Sequence, residues 1–266
     1  MQDFDGKGIV ITGGATGIGF ALAKQFARHG GRIVIAARRR DRLNQAAAAL
    51  AAGGTEVAVF QCDVTDRSQV EALADFAWER LGQVDVIVNN AGVGPITSSV
   101  IEASREDVQR VLNVNLFGVW NGVSVFGQRF IAQGTPAAIY NVGSENCFFR
   151  AVPLGTGYTA SKHAVLVLTE ALREELPEHI EVSLICPGLV RSELSEATDD
   201  GMDTDAYAAL AMKQILEGRF FVVSHAYNIV RIRARYEEIE AAFAEYAPRY
   251  EGDDEFDLRT LMARSA

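Results

Sequence analysis

The hydrophobic positions of the chain fall into short runs separated by longer amphipathic segments. The short runs are almost continuously apolar, which is typical of strands buried on both faces. The predicted strands are 8–12, 32–37, 56–61, 84–90, 137–142, 180–187 and 220–224. The longer segments have helical spacing, and the predicted helices are 17–29, 41–52, 66–81, 104–132, 157–178, 203–217 and 232–247.

This alternation predicts repeated strand–helix–strand units with right-handed crossovers. We therefore expect an α/β fold, a doubly wound parallel sheet with helices on both of its faces. The chain shows no internal repeat, low-complexity segment or linker, so a single domain is predicted over 1–266, ending in a C-terminal helix and an acidic tail over 226–266. Ligands of such sheets bind at the carboxyl ends of the strands, so functional residues are expected directly after strands.

The composition narrows the range of partners. The 266 residues carry a net charge of −10, so neither nucleic acid nor an anionic membrane is an expected main partner. Three scattered cysteines do not make a disulfide framework, and no metal-binding motif is present. The first residues lack the basic start and long apolar stretch of a signal peptide, and no apolar run is long enough to span a membrane. We expect a soluble cytoplasmic protein.

A glycine-rich segment, TGGATGIG, follows the first predicted strand and opens the first predicted helix. Glycines here allow a tight turn and let the backbone approach a phosphate, and the helix N-terminus offers free N–H groups to it. A purely structural glycine turn is the alternative, but the position after the first buried strand favours dinucleotide binding. The predicted contacts in this segment are Gly13, Thr16, Gly17, Ile18 and Gly19.

The second predicted strand ends in a cluster of arginines. Proteins that bind NAD commonly place an acidic residue at this strand end, whereas this chain has Ala37 followed by Arg38, Arg39 and Arg40. Cations at a helix N-terminus oppose the helix dipole, so a merely solvated cluster is a weak explanation. A 2′-phosphate would accept hydrogen bonds from the guanidinium groups. The sequence therefore favours NADP(H) over NAD(H), with Arg38 as the first candidate and Arg39 as the second.

The third and fourth predicted strands also end in candidate cofactor contacts. Asp63 could accept a hydrogen bond from adenine while Val64 covers the ring, although Asp63 could instead only begin a turn. After the fourth strand, Asn89 is expected to be structural and the next three residues to lie nearer the cofactor. The predicted contacts at these two strand ends are Asp63, Val64, Asn90, Ala91 and Gly92.

A tyrosine and a lysine lie four residues apart in a predicted helix. Tyr158 and Lys162 therefore share one helix face. A free phenol has a pKa of about 10, and a nearby ammonium group should lower that pKa towards the working range of a base. Ser144 closes the fifth predicted strand, where its hydroxyl could bind a substrate oxygen. Asn115 lies inside the helix predicted over 104–132 and could kink it, bind water and pass protons to Lys162. Taken alone, Asn115 is better explained as a satisfied polar residue.

Together these motifs resemble the short-chain dehydrogenase/reductase family in its single-domain form. The markers occur in the family's order, namely TGGATGIG, NNAG, VNLFG, NVGS, YTASK and PGLVRS. The resemblance implies a Rossmann-type fold with a seven-stranded parallel sheet and a catalytic tetrad of Asn115, Ser144, Tyr158 and Lys162, with Tyr158 and Lys162 also contacting the cofactor. It further implies nicotinamide contacts at Pro187, Gly188, Val190 and Ser192, and a homodimer or homotetramer formed by the helices at 104–132 and 157–178.

The spacing of the serine departs from the family's pattern. Ser144 and Tyr158 are fourteen residues apart, one more than is usual in the family. Counting back from the tyrosine places Glu145 at the serine position, whereas counting from the strand places Ser144 there. A carboxylate cannot donate a hydrogen bond to a ketone unless it is protonated. We therefore assign Ser144 and infer a one-residue insertion, with Glu145 as the second candidate.

The substrate is the part of the function that the sequence determines least. Phe148 and Phe149 follow the serine and either border the substrate pocket or pack in the core. The family's substrate lid corresponds to 189–218, where the apolar candidates are Leu194, Met202, Tyr207 and Met212. These residues favour a small-molecule substrate, namely an apolar ketone or secondary alcohol of aromatic or alicyclic type.

Three functions use such residues. The first is an NADP-dependent oxidoreductase, and the second is a non-catalytic NADP(H)-binding sensor or scaffold. The third is an epimerase or dehydratase with the same tyrosine–lysine pair. The complete Ser144, Tyr158 and Lys162 set favours the first, because a binding module has no need of a tuned phenol.

Overall fold

The computed structural model describes residues 3–192 and 200–265. Seven strands form one sheet: β1 (Gly8–Thr12), β2 (Arg32–Ala37), β3 (Val57–Gln61), β4 (Val86–Asn89), β5 (Ala137–Val142), β6 (Ile180–Cys186) and β7 (Phe221–Val223). Their order is β3-β2-β1-β4-β5-β6-β7, and every neighbouring pair is parallel. The predicted seven-stranded, doubly wound α/β fold is confirmed.

The helices between these strands match most of the predicted segments. They are α1 (Gly17–Arg28), α2 (Arg40–Ala52), α3 (Arg67–Leu81), α4 (Arg105–Leu112), α5 (Gly118–Gln133), α6 (Thr156–Glu175) and α7 (Thr204–Leu216). The single helix predicted over 104–132 is divided by a π-helical turn at Asn113–Phe117. After the sheet come α8 (Asn228–Tyr246) and α9 (Leu258–Ser265), and α9 was not predicted.

Two apolar clusters hold the sheet between its helices. Successive strand residues point to opposite faces, and the buried residues of β1 divide accordingly. Ile9 and Ile11 pack with α1, α2 and α7, whereas Val10 packs with α3, α5 and α6. The strands contain few polar residues because both faces are covered.

The contacts along the chain separate two compact units. Met1–His225 contains the whole sheet and helices α1 to α7, and Ala226–Ala266 contains α8 and α9. The prediction of a single domain over 1–266 stays a prediction. No helix in the described part of the chain is long and apolar enough to cross a membrane.

The strand order reverses its direction at β1. The chain passes from β1 outward to β2 and β3, and then returns to β4 on the other side of β1. The loops after β1 and β4 therefore leave the sheet in opposite directions and open a crevice at its carboxyl edge. The predicted site residues follow these strands.

Candidate active site

A cavity of about 450 Å³ lies along the carboxyl edge of the sheet. Sixteen of the predicted cofactor contacts line it, and they come from every loop at which they were expected. These residues are Gly13, Thr16, Gly17, Ile18, Gly19, Arg38, Arg39, Asp63, Val64, Asn90, Ala91, Gly92, Tyr158, Lys162, Pro187 and Ser192. The fold therefore brings the glycine loop, the arginines and the tyrosine–lysine pair to one cavity.

The glycine loop is shaped for close approach by a phosphate group. Gly13 and Gly17 have φ angles of 65° and 53°, a left-handed region that side chains disfavour. A Cβ atom at Gly19 would lie 2.4 Å from the carbonyl oxygen of Gly13. Helix α1 begins at Gly17, with no side-chain cap from Thr16 and no acidic residue in its first turn. Its first N–H groups fit the pyrophosphate of a dinucleotide.

Asn90 holds the glycine loop from the neighbouring strand. Its Nδ2 donates hydrogen bonds to the carbonyl oxygens of Thr12 and Gly13, over 2.9 and 3.1 Å. Its backbone N–H donates to the Thr12 hydroxyl over 3.0 Å. Asn90 lines the cavity as predicted, but its side-chain amide group donates its hydrogen bonds to the glycine loop. Asn89 is buried and donates to Asn141 Oδ1, the structural role expected of it.

The arginines lie where the second strand opens into the cavity. Arg38 and Arg39 are exposed and line the cavity, and no acidic residue occupies the end of β2 at Ala37. Asp63 lines the cavity from the end of β3, and its Oδ1 accepts hydrogen bonds from the backbone N–H and hydroxyl of Thr65. Asp63 thus begins a turn and also faces the cavity. The two expected roles are compatible.

Asn115 lies fully buried in the π-helical turn between α4 and α5. Its Oδ1 accepts from the Val93 N–H over 2.8 Å, and its Nδ2 donates to the Val93 carbonyl over 3.1 Å and to the Ser161 hydroxyl over 3.3 Å. The side chain therefore joins the loop after β4 to helix α6 beside Lys162. π-Helical turns inside α-helices are frequent at functional sites. Proton transfer through Asn115 stays a prediction.

Ser144 follows β5 and is buried. Its Oγ accepts two hydrogen bonds from Asn146, from the backbone N–H over 3.1 Å and from Nδ2 over 3.2 Å. A hydroxyl has two acceptor positions, so its own hydrogen is free to be donated elsewhere. The amide oxygen of Asn146 accepts from the backbone of Ala151 and Val152 and from the Thr159 hydroxyl.

Asn146 was not predicted from the sequence. Its partners are one serine hydroxyl, two backbone N–H groups and one threonine hydroxyl, and they meet only when the loop closes against α6. The only available signal was a polar residue in the loop that carries the inferred insertion, and it does not reveal those partners. The two candidates for the serine position lie side by side in this loop. Ser144 caps a short 3₁₀ turn, and Glu145 is the first residue of that turn.

Tyr158 and Lys162 lie one turn apart on α6 and line the cavity. Lys162 is buried, its Nζ donates to the Val142 carbonyl over 2.9 Å, and it lies 5.7 Å from the centre of the Tyr158 ring. Burial raises the pKa of Tyr158 to about 12, although a hydrogen bond from Ser144 lowers that pKa. Burial also lowers the pKa of Lys162. The predicted lowering of the tyrosine pKa is therefore wrong for this arrangement, because desolvation of the phenolate outweighs the stabilising effects.

Several other predicted residues lie away from the cavity. Gly188 packs against the His225 ring, which a Cβ atom would approach to 2.4 Å, and Val190 is buried in the core. Neither is among the residues that line the cavity. Close packing shapes the chain at these two positions after β6, and their contact with the nicotinamide stays a prediction.

The residues predicted to contact the substrate also lie away from the large cavity, with the exception of Glu145, which lies near Tyr158. Phe148 packs edge-on against Phe221, with their ring centres 5.7 Å apart, and Phe149 is buried. Neither is among the residues that line the large cavity, and their contact with a substrate stays a prediction. The carboxylate of Glu145 is close enough to raise the pKa of Tyr158.

The predicted lid contains part of the core. Tyr207 and Met212 of α7 are almost completely buried in the cluster that packs on β1, which corrects their assignment to the lid surface. Met202 is partly buried against the same cluster. Leu194 lies outside the described residues. The alternating apolar pattern of 203–217 could not distinguish a helix packed on the sheet from a helix over a substrate.

A second cavity of about 210 Å³ also reaches Tyr158. It lies between α4, the start of α6 and the loop after β4. Its lining is largely apolar, with Ile96, Val100, Val108 and Val111 among the contributing side chains. The sequence offered no signal for this cavity, because these residues come from three separate segments. In the described part of the chain, no cluster of three or more His, Cys, Asp or Glu side chains could hold a metal ion.

Comparison with known proteins identifies the family. Residues 7–203 match the family model described as short chain dehydrogenase. The chain is 33% identical over 246 residues to 1-deoxy-11-beta-hydroxypentalenate dehydrogenase from Streptomyces exfoliatus, covering 88% of each protein.

Two solved structures show the same similarity. One is a short chain dehydrogenase/reductase from Burkholderia phymatum in complex with NAD, with a TM-score of 0.86, 33% identity, and 91% of this chain and 97% of that one covered. The other is an alcohol dehydrogenase from Thermococcus sibiricus complexed with 5-hydroxy-NADP, with a TM-score of 0.72, 31% identity, and 79% and 90% covered. These matches agree with the fold and with the motifs around the cavity. The chain therefore belongs to the short-chain dehydrogenase family and is an oxidoreductase of alcohols or ketones.

Proposed function

We propose that the protein is an NADP-dependent oxidoreductase that transfers hydride between the nicotinamide and an apolar ketone or secondary alcohol. The observation that carries this proposal is the single cavity shared by the glycine loop, Arg38 and Tyr158. A nucleotide held by the first two would extend along the sheet edge towards the phenol. The cofactor supplies the hydride chemistry, and the protein supplies orientation and proton transfer.

The preference for NADP(H) rests on charge. Arg38 and Arg39 line the cavity beside β2, where Ala37 leaves no carboxylate to bind a ribose 2′-hydroxyl. Guanidinium groups match phosphate oxygens in geometry and charge. The similar solved structures hold NAD in one case and an NADP derivative in the other, so they support a nicotinamide dinucleotide without choosing between the two.

In the proposed reduction, Tyr158 donates its proton to the substrate oxygen. Its pKa is raised to about 12, so the phenol carries that proton at neutral pH. Ser144, whose acceptor positions are taken by Asn146, donates its own hydrogen towards the same oxygen. The protonated form of Lys162, whose Nζ lies 5.7 Å from the centre of the phenol ring, would stabilise the phenolate that forms. Asn115 positions the loop at Val93 and is the proposed start of the proton supply.

The substrate proposed is alicyclic or aromatic. The second cavity has an apolar lining and reaches Tyr158, so it could receive the body of a substrate whose oxygen lies at the phenol. The relative from Streptomyces exfoliatus is named for a hydroxypentalenate substrate, an alicyclic alcohol. These two observations support a compact hydrophobic ring system.

We also infer a homo-oligomer that acts in the cytoplasm. Large apolar side chains are exposed on the two helices expected to form the interface, including Trp120 and Ile131 on α5 and Val167 on α6. Exposed large apolar side chains of this kind are commonly buried against a partner. The three cysteines are free and buried, which supports a reducing compartment.

Replacing Tyr158→Phe tests the catalytic proposal. The substitution removes only the hydroxyl, so ketone-dependent NADPH oxidation should fall by about two to four orders of magnitude. The dissociation constant for NADPH, measured by fluorescence titration, should change little. A wild-type protein that binds NADPH tightly but turns over no ketone in a broad panel would instead favour a scaffold. Full activity in the variant would refute the mechanism.

Replacing Arg38→Ala tests the cofactor assignment. A charge-assisted hydrogen bond is worth about 1.5–3 kcal/mol, so NADPH affinity should fall by roughly tenfold or more. NADH affinity should be nearly unchanged. Arg40→Ala is the matched control, because Arg40 is exposed at the start of α2 and does not line the cavity. Equal losses for the two cofactors would overturn the preference for NADP(H).

A further inference from the structure

Helix α8 carries a continuous apolar stripe, none of whose members is fully buried. Its members are separated alternately by three and four residues, which is the a/d spacing of a heptad repeat. They are Ile229, Ile232, Tyr236, Ile239, Phe243 and Tyr246. We call these six side chains the α8 seam. The helix has no buried residue in its entire length.

Five of the six side chains of the α8 seam are exposed, and Ile232 is half-buried. Tyr236, Phe243 and Tyr246 are 59%, 62% and 80% exposed, and Ile229 and Ile239 are 46% and 43% exposed. Exposed apolar residues are ordinary when they are scattered, but a contiguous stripe of large ones marks an interaction surface. The heptad spacing indicates that the surface fits another helix rather than a flat partner.

The charges of α8 are divided between its two halves. Arg231, Arg233 and Arg235 lie in the N-terminal half, and the glutamates lie in the C-terminal half. These glutamates are Glu237, Glu238, Glu240 and Glu245. Positive charge at the N-terminus and negative charge at the C-terminus both oppose the helix dipole. A second copy of α8 in the antiparallel direction would offset both, because each basic half would face an acidic half.

We propose that α8 pairs with α8 of a second copy of this chain in an antiparallel two-helix coiled coil. This inference does not depend on the proposed reaction. Centring the pair between residues 237 and 238 sets one aromatic ring opposite one isoleucine in every layer. The layers are Ile229 with Tyr246, Ile232 with Phe243, and Tyr236 with Ile239.

The parallel alternative is less well matched. It would stack isoleucine on isoleucine in some layers and ring on ring in others, so that the distance between the helices would have to vary. It would also place the two arginine-rich halves side by side. In the antiparallel pair, Arg233 and Glu240 occupy e positions and flank the seam opposite each other, twice by symmetry.

The size of the α8 seam suits a modest interface. Helix α8 has 19 residues, fewer than three full heptads. Aromatic side chains bury about 150–250 Å² each, so the six rings of two copies could bury on the order of 1,000 Å². With the isoleucines added, the area approaches that of a standard interface, roughly 1,200–2,000 Å². The large area of the aromatic side chains in the α8 seam therefore compensates for the small number of layers in a short helix.

Cysteine cross-linking tests the pairing and its direction in the full-length protein. One preparation carries Ile232→Cys, and the other carries Phe243→Cys with an affinity tag. Under mild oxidation, an equimolar mixture should form a disulfide-linked dimer containing one copy of each, and neither variant alone should do so. Ala234→Cys on the opposite helix face is the control and should not cross-link with Phe243→Cys. The native cysteines are buried, so the wild type should give no disulfide-linked dimer.

The same experiment can overturn the proposal in two ways. Cross-linking of each single variant with itself would show parallel pairing. No cross-link in any combination would show that the seam does not meet a second copy.

A second measurement tests the pairing without the cysteine variants, in case these fold poorly. Ile239→Asp puts a carboxylate into the seam and should halve the particle mass measured by analytical ultracentrifugation, whereas Ala241→Asp on the outer face should leave it unchanged. An unchanged mass for both variants, together with no cross-link between Ile232→Cys and Phe243→Cys, would refute self-pairing through α8. Binding of the wild type to vesicles of phosphatidylcholine and phosphatidylglycerol, lost in Ile239→Asp without a change in mass, would assign the seam to a membrane surface instead.

Discussion

Ser144 is made a hydrogen-bond donor by Asn146, two residues further along the chain. Both hydrogen bonds that its Oγ accepts come from Asn146, which leaves the serine hydrogen to point towards Tyr158 or a substrate oxygen. The hydrogen bond from Ser144 lowers the pKa of Tyr158, whereas burial raises it more strongly. At the residue scale, we therefore propose that Asn146 acts on the reaction through Ser144.

Replacing Asn146→Ala should reduce kcat by about one to two orders of magnitude, because a misdirected oxyanion donor costs that much or more. The apparent pKa of Tyr158, read from the pH dependence of kcat/KM for alcohol oxidation, should rise, since the stabilising bond from Ser144 becomes weaker. NADPH affinity should stay within a small factor of wild type.

A purely structural role for Asn146 would be recognised by a different pattern. Stability and activity would then fall together, with no change in the pH profile. Ser144→Ala provides the reference, because adding Asn146→Ala to it should have little further effect on kcat.

At the element scale, the division of the predicted long helix at Asn113–Phe117 has a clear cause. Asn115 turns its amide towards Val93, and α5 then packs closely on the sheet through glycines. A Cβ atom at Gly122 would lie 2.0 Å from Asn89 Oδ1, whereas at Gly127 the nearest atom would be 3.7 Å away. The same residue type therefore has two different roles in one helix.

Alanine at these two glycines should have opposite effects. Gly122→Ala should lower the free energy of unfolding by about 1–3 kcal/mol, because Asn89 is held by Asn141 and cannot move freely. Gly127→Ala should raise it by about 0.5–1 kcal/mol, because alanine favours the helix and fits the space. Urea unfolding of both variants measures the difference. Equal effects would contradict the packing described for α5.

At the scale of the whole molecule, two tyrosines lie in the cluster that packs α1, α2 and α7 on the sheet. Tyr140 donates to Glu181 Oε1 over 2.9 Å, whereas Tyr207 has no hydrogen-bond partner for its hydroxyl among the described residues. Burial raises the pKa of Tyr140, and it raises that of Tyr207 well above the usual value. Their protonated forms therefore favour the folded state, and this contribution is complete below the unfolded pKa.

The stability of the protein should consequently fall as the pH rises above about 10, the pKa of an unfolded tyrosine. Each tyrosine contributes a loss of stability of up to about 1.4 kcal/mol per pH unit until the pH reaches its folded pKa. Tyr207→Phe should flatten this fall and should raise stability at pH 7 by about 1 kcal/mol, because it removes an unsatisfied buried hydroxyl.

Tyr140→Phe is the matched control for this experiment. It should flatten the alkaline loss in the same way but lower stability at pH 7, because Glu181 loses its donor. Thermal or urea unfolding from pH 7 to pH 11 measures both variants. A parallel pH dependence in wild type and Tyr207→Phe would show that Tyr207 titrates normally.

The sequence by itself determined the order of strands and helices, the parallel sheet and most of the residues around the large cavity. Continuous apolar runs and glycine spacing are local properties, and the carboxyl ends of parallel strands meet at one edge in every fold of this type. For the same reason, residues such as Gly17, Arg38 and Tyr158 could be assigned to one cavity from their positions after strands.

Only the tertiary structure decided how individual side chains are used. Asn146 binds groups up to 13 residues away, and Asn115 binds Val93 across 22 residues, so neither set of partners has a local pattern. The pKa of Tyr158 was wrongly predicted because burial, which depends on every surrounding element, outweighs the nearby lysine. Tyr207 and Met212 were lid candidates because the family's lid corresponds to 189–218. Amphipathic spacing shows that a helix has an apolar face, and only packing shows what that face covers.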